Sequence, residues 1–337
     1  MTQGATCRAC GTADVAAAYR VAEMMYGDGR WFDYDECLGC GSLTRRSDVE
    51  AAALYPDDYY SLADDPERTM GGAVASRAVR AVVRSALLGS GRLAGLAREH
   101  APRREARTLA AMVLGLRRAG ISWTDRTNVL DVGCGSGSLI YALGIGTPAQ
   151  CLGVDPYAAP RTWSTGGGVL RCEIGDVEPG SWDLVMLHHS LEHVEHPVST
   201  LGAARRALRS GGRVVLRMPT CSSAAWRRYG TSWVQLDAPR HTCVMSRRGV
   251  EHAVAAAGLV VQDSFDDSTE FQFWGSEQVL RGTPLASPDS LLDRSTSPLF
   301  TRRELADWAR QARELNAGGD GDQAVWILRR PEESGTT

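Results

Sequence analysis

The sequence contains no lysine; all 37 of its basic residues are arginine. A GC-rich genome is the simplest source of that bias. The absence still removes chemistry: no Schiff base, no pyridoxal phosphate attachment and no Walker A loop can be built without a lysine. Long apolar runs are missing too. None approaches the roughly 20 residues that cross a bilayer, and no basic-then-apolar leader opens the chain. Net positive charge is also lacking. The formal charge is −3 and the pI near 6.2, so nothing global attracts nucleic acid or an anionic membrane. The expectation is a cytoplasmic protein with no membrane partner, whose thiols stay reduced.

What is present is an ordinary globular composition, 43% hydrophobic and 23% charged over 337 residues. That length suits a large domain with an accessory one. Residues 50–63 are acidic and aromatic, with Tyr55, Tyr59 and Tyr60. Residues 71–120 are rich in Ala, Leu, Val and Arg and read as helices. Ten arginines against two glutamates make that stretch locally basic, which is more commonly a solvated helix face than a phosphate track. From residue 127 strands alternate with helices. Strands are expected at Val129–Val132, Cys151–Asp155, Val169–Cys172, Trp182–Leu187, Gly212–Met218, Leu259–Ser264 and Gln323–Leu328, with helices near 198–209 and 246–257. Such alternation implies a mainly parallel sheet covered on both faces.

The first strand runs into Asp131-Val-Gly133-Cys-Gly135-Ser-Gly137, which opens a helix. Glycines here let the backbone turn tightly and let a ligand approach it. The spacing is not the Gly-x-Gly-x-x-Gly of pyrophosphate sites. An acid two residues before the first glycine instead suits the ammonium of a zwitterionic amino acid. Asp155 closes the second strand, where a carboxylate can accept bonds from both ribose hydroxyls. Asp176, after the third, can accept from an adenine amino group.

Nine cysteines include two Cys-x-x-Cys-Gly pairs, Cys7/Cys10 and Cys37/Cys40, flanking a strand-like stretch at Arg30–Asp35. Four thiolates at this spacing satisfy a tetrahedral zinc ion with no position left open, so the metal is expected to be structural. Cys134, Cys151, Cys172, Cys221 and Cys243 read as core or loop residues.

Val129–Gly137 resembles the first motif of class I S-adenosylmethionine-dependent methyltransferases, and Gly153-Val154-Asp155 their second. His189-Ser190-Leu191-Glu192-His193-Val194 resembles the Leu-Glu-His signature of a large subgroup. The cysteine pairs and Tyr55–Tyr60 resemble members with a zinc module, including sugar C-methyltransferases. In those, a Glu-His-x-Ser-Tyr-Phe-Ser segment lies beside the substrate. Its counterpart is Arg240–Ser246, with the histidine at His241 and Arg240 in place of the glutamate; their Gly-Gly-Ser-Leu-Arg signature is absent. The resemblance implies an α/β fold, a Rossmann-like sheet with a small N-terminal zinc ribbon and helical linker. The expected divisions are a ribbon at 1–50, a helical linker or cap at 51–120, a methyltransferase domain with substrate-lid insertions at 121–330 and a disordered tail at 331–337.

Methyl transfer is an in-line displacement at a sulfonium, so the protein supplies alignment, dryness and removal of a proton. Four of seven histidines fall within His188–His196, at the strand end that faces the crevice of an open parallel sheet. His241 and His193 are the expected bases, with Glu192 orienting one of them. His196 before Pro197 marks a helix start and His188 reads as a satisfied core residue; a metal site on His189 and His193 is a further reading. Trp226, Tyr229, Trp233, Phe271, Phe273 and Trp274 suggest an apolar lid. Tyr229, Trp233, His189 and Arg240 are expected to meet the substrate, Arg240 and Arg217 binding an anionic group. The expected function is C- or O-methylation of a small molecule, a specialised metabolite or an activated sugar. Two other readings remain: an RNA methyltransferase, which the acid-rich first 50 residues argue against, and a catalytically silent S-adenosylmethionine-binding protein.

Overall fold

The computed structural model describes residues 6–47, 49, 62, 64–88, 112–113, 115–292, 294 and 296–331. The expectations placed on Tyr55, Tyr59, Tyr60 and residues 332–337 lie outside them. The chain opens with three strands, β1 (Val15–Ala22), β2 (Trp31–Cys37) and β3 (Leu43–Arg45), followed by helices α1 (Pro66–Met70) and α2 (Ala73–Leu88). The strand β4 (Asn128–Val132) leads into α3 (Ser138–Gly146). Next come β5 (Gln150–Val154), β6 (Arg161–Thr162), β7 (Gly168–Leu170) and β8 (Trp182–His188). Then follow α4 (Pro197–Ala207), β9 (Leu208–Pro219), α5 (Ala224–Tyr229), β10 (Cys243–Val244), α6 (Arg247–Ala256) and β11 (Val260–Asp266). Helices α7 (Phe271–Leu280) and α8 (Arg302–Gly318) precede β12 (Gln323–Arg329).

Eight strands form one sheet in the order β11-β12-β9-β8-β4-β5-β7-β6. The five central strands run parallel, whereas β12 is antiparallel to both its neighbours and β6 is antiparallel to β7. Their sequences explain their place. Val129 and Leu130 on β4 and Leu184–Leu187 on β8 are buried throughout, the continuous apolar run of a strand covered on both faces. On one face lie Leu201, Ala204, Val250 and Ala253 of α4 and α6; on the other lie Ile140, Tyr141, Leu143, Met112 and Leu116. Chain order reverses between β4 and β8, and ligands bind outside the carboxyl ends of strands at such a reversal.

The seven expected strands of residues 127–330 are all present, with ends displaced by a few residues. Both expected helices form as α4 and α6, and His196 occupies the N-cap of α4. The alternation did not reveal β1 or α8. The latter carries a capping box in which Thr301 and Glu304 satisfy each other's backbone N–H groups, and that Ser/Thr-x-x-Glu spacing is readable in advance.

A second sheet has the order β1-β2-β3-β10. Three of its strands come from the first 50 residues. The fourth arrives from far along the chain, pairing Cys243 with Thr44 and Val244 with Leu43. Strands β1–β3 and the later part of the chain therefore share a sheet.

Candidate active site

After β4 the chain turns through Gly133, Gly135 and Gly137 with φ of 69°, 55° and 85°, a region costly for any residue with a Cβ. Space is equally restrictive. A Cβ on Gly133 would lie 2.5 Å from Cβ of Ser190, so the glycine loop and the turn after β8 touch across the reversal point. Gly137 caps α3.

The three acids differ. Asp155 spends one oxygen on Gly135 N (2.9 Å) and the other on Tyr157 N and Ala158 N (2.8 and 2.9 Å). It braces the glycine loop, and a ribose would share a carboxylate already holding three backbone donors. Asp131 is buried, and that burial, with the nearby Asp155 charge, pushes its carboxyl up to about 8. Asp176 is exposed, and one of its oxygens accepts from Glu173 N.

Beyond β8, His189 adopts φ 50° and starts a single helical turn, Leu191–His193. His189 Nε2 lies 2.8 Å from Arg217 Nη1. A guanidinium only donates, so Nε2 must accept and Nδ1 must carry the proton. That proton goes to Glu192 Oε1 at 3.1 Å. Arg217 Nε in turn donates to Asp267 (2.6 Å), which also accepts from Gln323 (2.8 Å). Burial lowers the His189 pKa, which suits this neutral form. Glu192 is fully buried. Burial alone would raise its pKa, but the His189 hydrogen bond and three nearby imidazoles outweigh it and hold the carboxyl down at about 2.

His241 comes to the same place from the loop after the cis peptide Ala238–Pro239. Its Nδ1 donates to Gln235 O at 2.7 Å, and its Nε2 lies 3.9 Å from Glu192 Oε1 and 4.0 Å from Asp237 Oδ2. His193 donates Nδ1 to Arg240 O, and its ring meets His241 edge-on with centroids 4.7 Å apart. Burial and the adjoining His241 lower the His193 pKa to about 4. Glu192, His193 and His241 are thus one cluster.

The loop bearing His241 is gripped from two sides. Tyr34 OH on β2 donates to His241 O at 2.6 Å, Arg45 on β3 donates to Pro239 O, and Thr242 N donates to Glu192 O at 2.7 Å. Arg240 is buried between Asp237 (2.6 Å) and Glu23 (2.9 Å).

Four expectations change on these contacts. The charge of Arg240 is already answered by the buried Glu23 and the half-buried Asp237 and that of Arg217 by Asp267, so neither offers an unengaged charge to an anionic substrate. Trp233 and Tyr229 direct their polar atoms to Asp322 (3.0 Å) and Glu277 (3.1 Å). With Trp226, Phe273 and Trp274 they pack against Tyr19 of β1 and Phe32 of β2 as core, and Phe271 packs in a smaller neighbouring cluster. His188 is not a satisfied core residue, because its Nδ1 is buried with no hydrogen-bond partner among the described residues. Sequence reasoning missed Glu23, Asp237 and Asp267, whose partners lie 217, 3 and 50 positions away. Only the Asp237–Arg240 spacing is local enough to have been a signal.

Beside strands β2 and β3 the four expected cysteines converge. Cys7 Sγ is 3.6 Å from Cys40 Sγ and Cys10 Sγ 3.5 Å from Cys37 Sγ, near the roughly 3.8 Å separation of thiolates around a tetrahedral zinc. All four sulfurs lie within 4.8 Å of one another. The donor set fits the ion.

A family model described as a methyltransferase domain matches residues 97–264. The chain belongs to the class I S-adenosylmethionine-dependent methyltransferases. Among curated proteins, this methyltransferase is 32% identical over 127 residues to a ubiquinone biosynthesis O-methyltransferase of Sodalis glossinidius, covering 34% of this chain and 51% of that one. A protein of the same name from Pseudomonas paraeruginosa is 31% identical over 112 residues, 28% of this chain and 48% of that one. The chain therefore spans about half the length of these relatives. Among solved structures, a geranyl diphosphate methyltransferase in complex with S-adenosylmethionine aligns at 19% identity and a TM-score of 0.41, over 70% of this chain and 94% of that one. No helix among the described residues is long and apolar enough to cross a membrane.

The Asp131 carboxyl yields a pH prediction. An acid whose pKa rises on folding keeps a proton that the unfolded chain gives up, so stability is lost as pH climbs from the unfolded value towards 8. Asparagine cannot ionise. The Asp131→Asn protein without cofactor should melt like wild type near pH 4 and about 3 °C higher at pH 9, the shift expected from about 2 kcal/mol in a chain of this length. Parallel melting curves across that range would refute the assignment.

Proposed function

We propose that this protein transfers a methyl group from S-adenosylmethionine to a small-molecule acceptor, whose proton is removed at Glu192, His193 and His241. One observation carries the reading: the glycine loop and the histidine turn abut at the reversal point, so a cofactor on one stands beside the polar cluster on the other. Asp131 suits the methionine ammonium, Gly133, Gly135 and Gly137 the close backbone approach, Asp155 the ribose and Asp176 the adenine amino group. Three buried atoms at the end of β8, His188 Nδ1, Ser190 Oγ and Glu192 Oε2, have no hydrogen-bond partner among the described residues. Buried polar atoms are seldom left so, and a bound molecule would supply partners. His241 is our first choice of base, since its Nδ1–H is fixed on a carbonyl and its Nε2 bears the lone pair. His189 turns a neutral edge to Glu192 and so sits behind the acceptor site.

The acceptor is a specialised metabolite or activated sugar methylated on carbon or oxygen; the name of the curated relatives favours oxygen. The deciding experiment is a screen of acceptors with isotopically labelled donor. On an accepted substrate, His241→Ala should slow turnover by about 10²–10⁴ with little change in cofactor affinity or melting temperature. His193→Ala should lower both rate and binding. If only His193→Ala is inactive, His193 is the base. If both variants keep full rate, no histidine base is needed.

We also propose that Cys7, Cys10, Cys37 and Cys40 hold a structural zinc ion. It would tie β1–β3 to the segment after β10, because Ser246 Oγ donates to Cys40 O and Ser246 N to Ser42 Oγ (2.5 and 3.1 Å). Elemental analysis should find about one zinc per chain, and Cys37→Ser should lower both metal content and soluble yield. A metal-free wild-type protein would end the proposal.

A further inference from the structure

We propose that Glu192, His193 and His241 bind a divalent cation, through both oxygens of the Glu192 carboxylate and one imidazole nitrogen from each histidine. The inference deepens the function proposed above and rests on it for the acceptor's position. One ligand-type atom from each of the three lies within 4.8 Å of the other two. Donors around a small cation stand about 3.0–3.5 Å apart, so the 3.9 Å between His241 Nε2 and Glu192 Oε1 has to close by about half an ångström.

Three further observations point the same way. Each imidazole gives its Nδ1–H to a main-chain carbonyl, His193 to Arg240 O (3.1 Å) and His241 to Gln235 O (2.7 Å). Metal-bound histidines are habitually held like this, which fixes the tautomer and puts the lone pair on Nε2. Glu192 Oε2 is fully buried and has no hydrogen-bond partner among the described residues, a costly condition for a carboxylate that a cation would relieve. Arg217 does not serve as that partner; its Nε donates to Asp267 and its Nη1 to His189.

Two imidazoles and one carboxylate select borderline ions such as Mn²⁺, Fe²⁺, Co²⁺ or Zn²⁺ and leave coordination positions open. The matching acceptor class presents two neighbouring oxygens, a vicinal diol or a hydroxy-carbonyl. Coordination lowers the pKa of the bound hydroxyl, and its proton passes to water. The oxygen's electron pair then forms the new bond to the methyl carbon. The sulfur–methyl bond breaks with its electrons remaining on sulfur, leaving a neutral thioether. With a cation bound, His241 is a ligand, and the cation's charge replaces the base.

The test titrates Mn²⁺ into the full chain with its cysteine-bound metal left in place, followed by electron paramagnetic resonance of the free ion. Manganese prefers oxygen and nitrogen donors to thiolates. Wild type should bind about one Mn²⁺, and Glu192→Gln and His193→Gln should each weaken it at least tenfold with unchanged circular dichroism and zinc content. Should either variant misfold, the other and His241→Gln carry the comparison. Absence of Mn²⁺ binding by wild type, or equal binding by the folded variants, overturns the inference. Cofactor affinity, measured separately by calorimetry, separates the two proposals. Cofactor binding without Mn²⁺ binding removes the cation alone, whereas Mn²⁺ binding without cofactor binding removes the methyltransferase reading of the site and keeps the cation.

Discussion

The Arg240 guanidinium, buried between Glu23 and Asp237, is the interaction on which the site most depends. A buried arginine must be paired, and removing one partner strands a charge at a cost of several kcal/mol. Glu23 lies just past β1, where its carboxylate also accepts from Met25 N, Tyr26 N and Gly27 N. Asp237 opens the loop that ends in His241. One cation thus joins the turn after β1 to the His241 loop, and it offsets the strain of Asp237 at φ 36°. A replacement without charge would leave two carboxylates facing each other.

A second chain of polar contacts sets the chemistry of Glu192. It runs from Gln323 through Asp267, Arg217 and His189, so strands β12, β9 and β8 and the end of β11 all act on one carboxyl group. Each link settles the next. The arginine forces the histidine's tautomer, the tautomer sends a proton to Glu192, and that hydrogen bond helps keep the acid ionised despite complete burial. The outcome is a rigid anion facing two imidazoles.

What could be read from the sequence follows distance along the chain. The glycine loop, the acids at strand ends and the paired cysteines are local patterns, and their spacing alone indicated a chemistry. The mainly parallel character of the sheet followed from strand–helix alternation, whereas its strand order did not. Residues whose roles depend on a remote partner were misjudged. Arg240 and Arg217 look like spare charges until Glu23 and Asp267 are beside them, and Trp233 and Tyr229 look like a lid until Tyr19 and Phe32 cover them. Aromatic composition cannot separate a wall of a pocket from the interior of a core, because burial is set by elements that are far away in sequence.

The pairing of β3 with β10 has a consequence for synthesis. Thr44 and Cys243, which face each other there, are 199 positions apart, so the ribosome must complete most of the protein before β3 finds its neighbour. At about 5–20 residues per second, the strand edge waits on the order of 10–40 seconds. An unpaired edge is a template for joining another chain. During that interval the β3 edge is open to pairing with another chain, and ending the chain before β10 would leave it open.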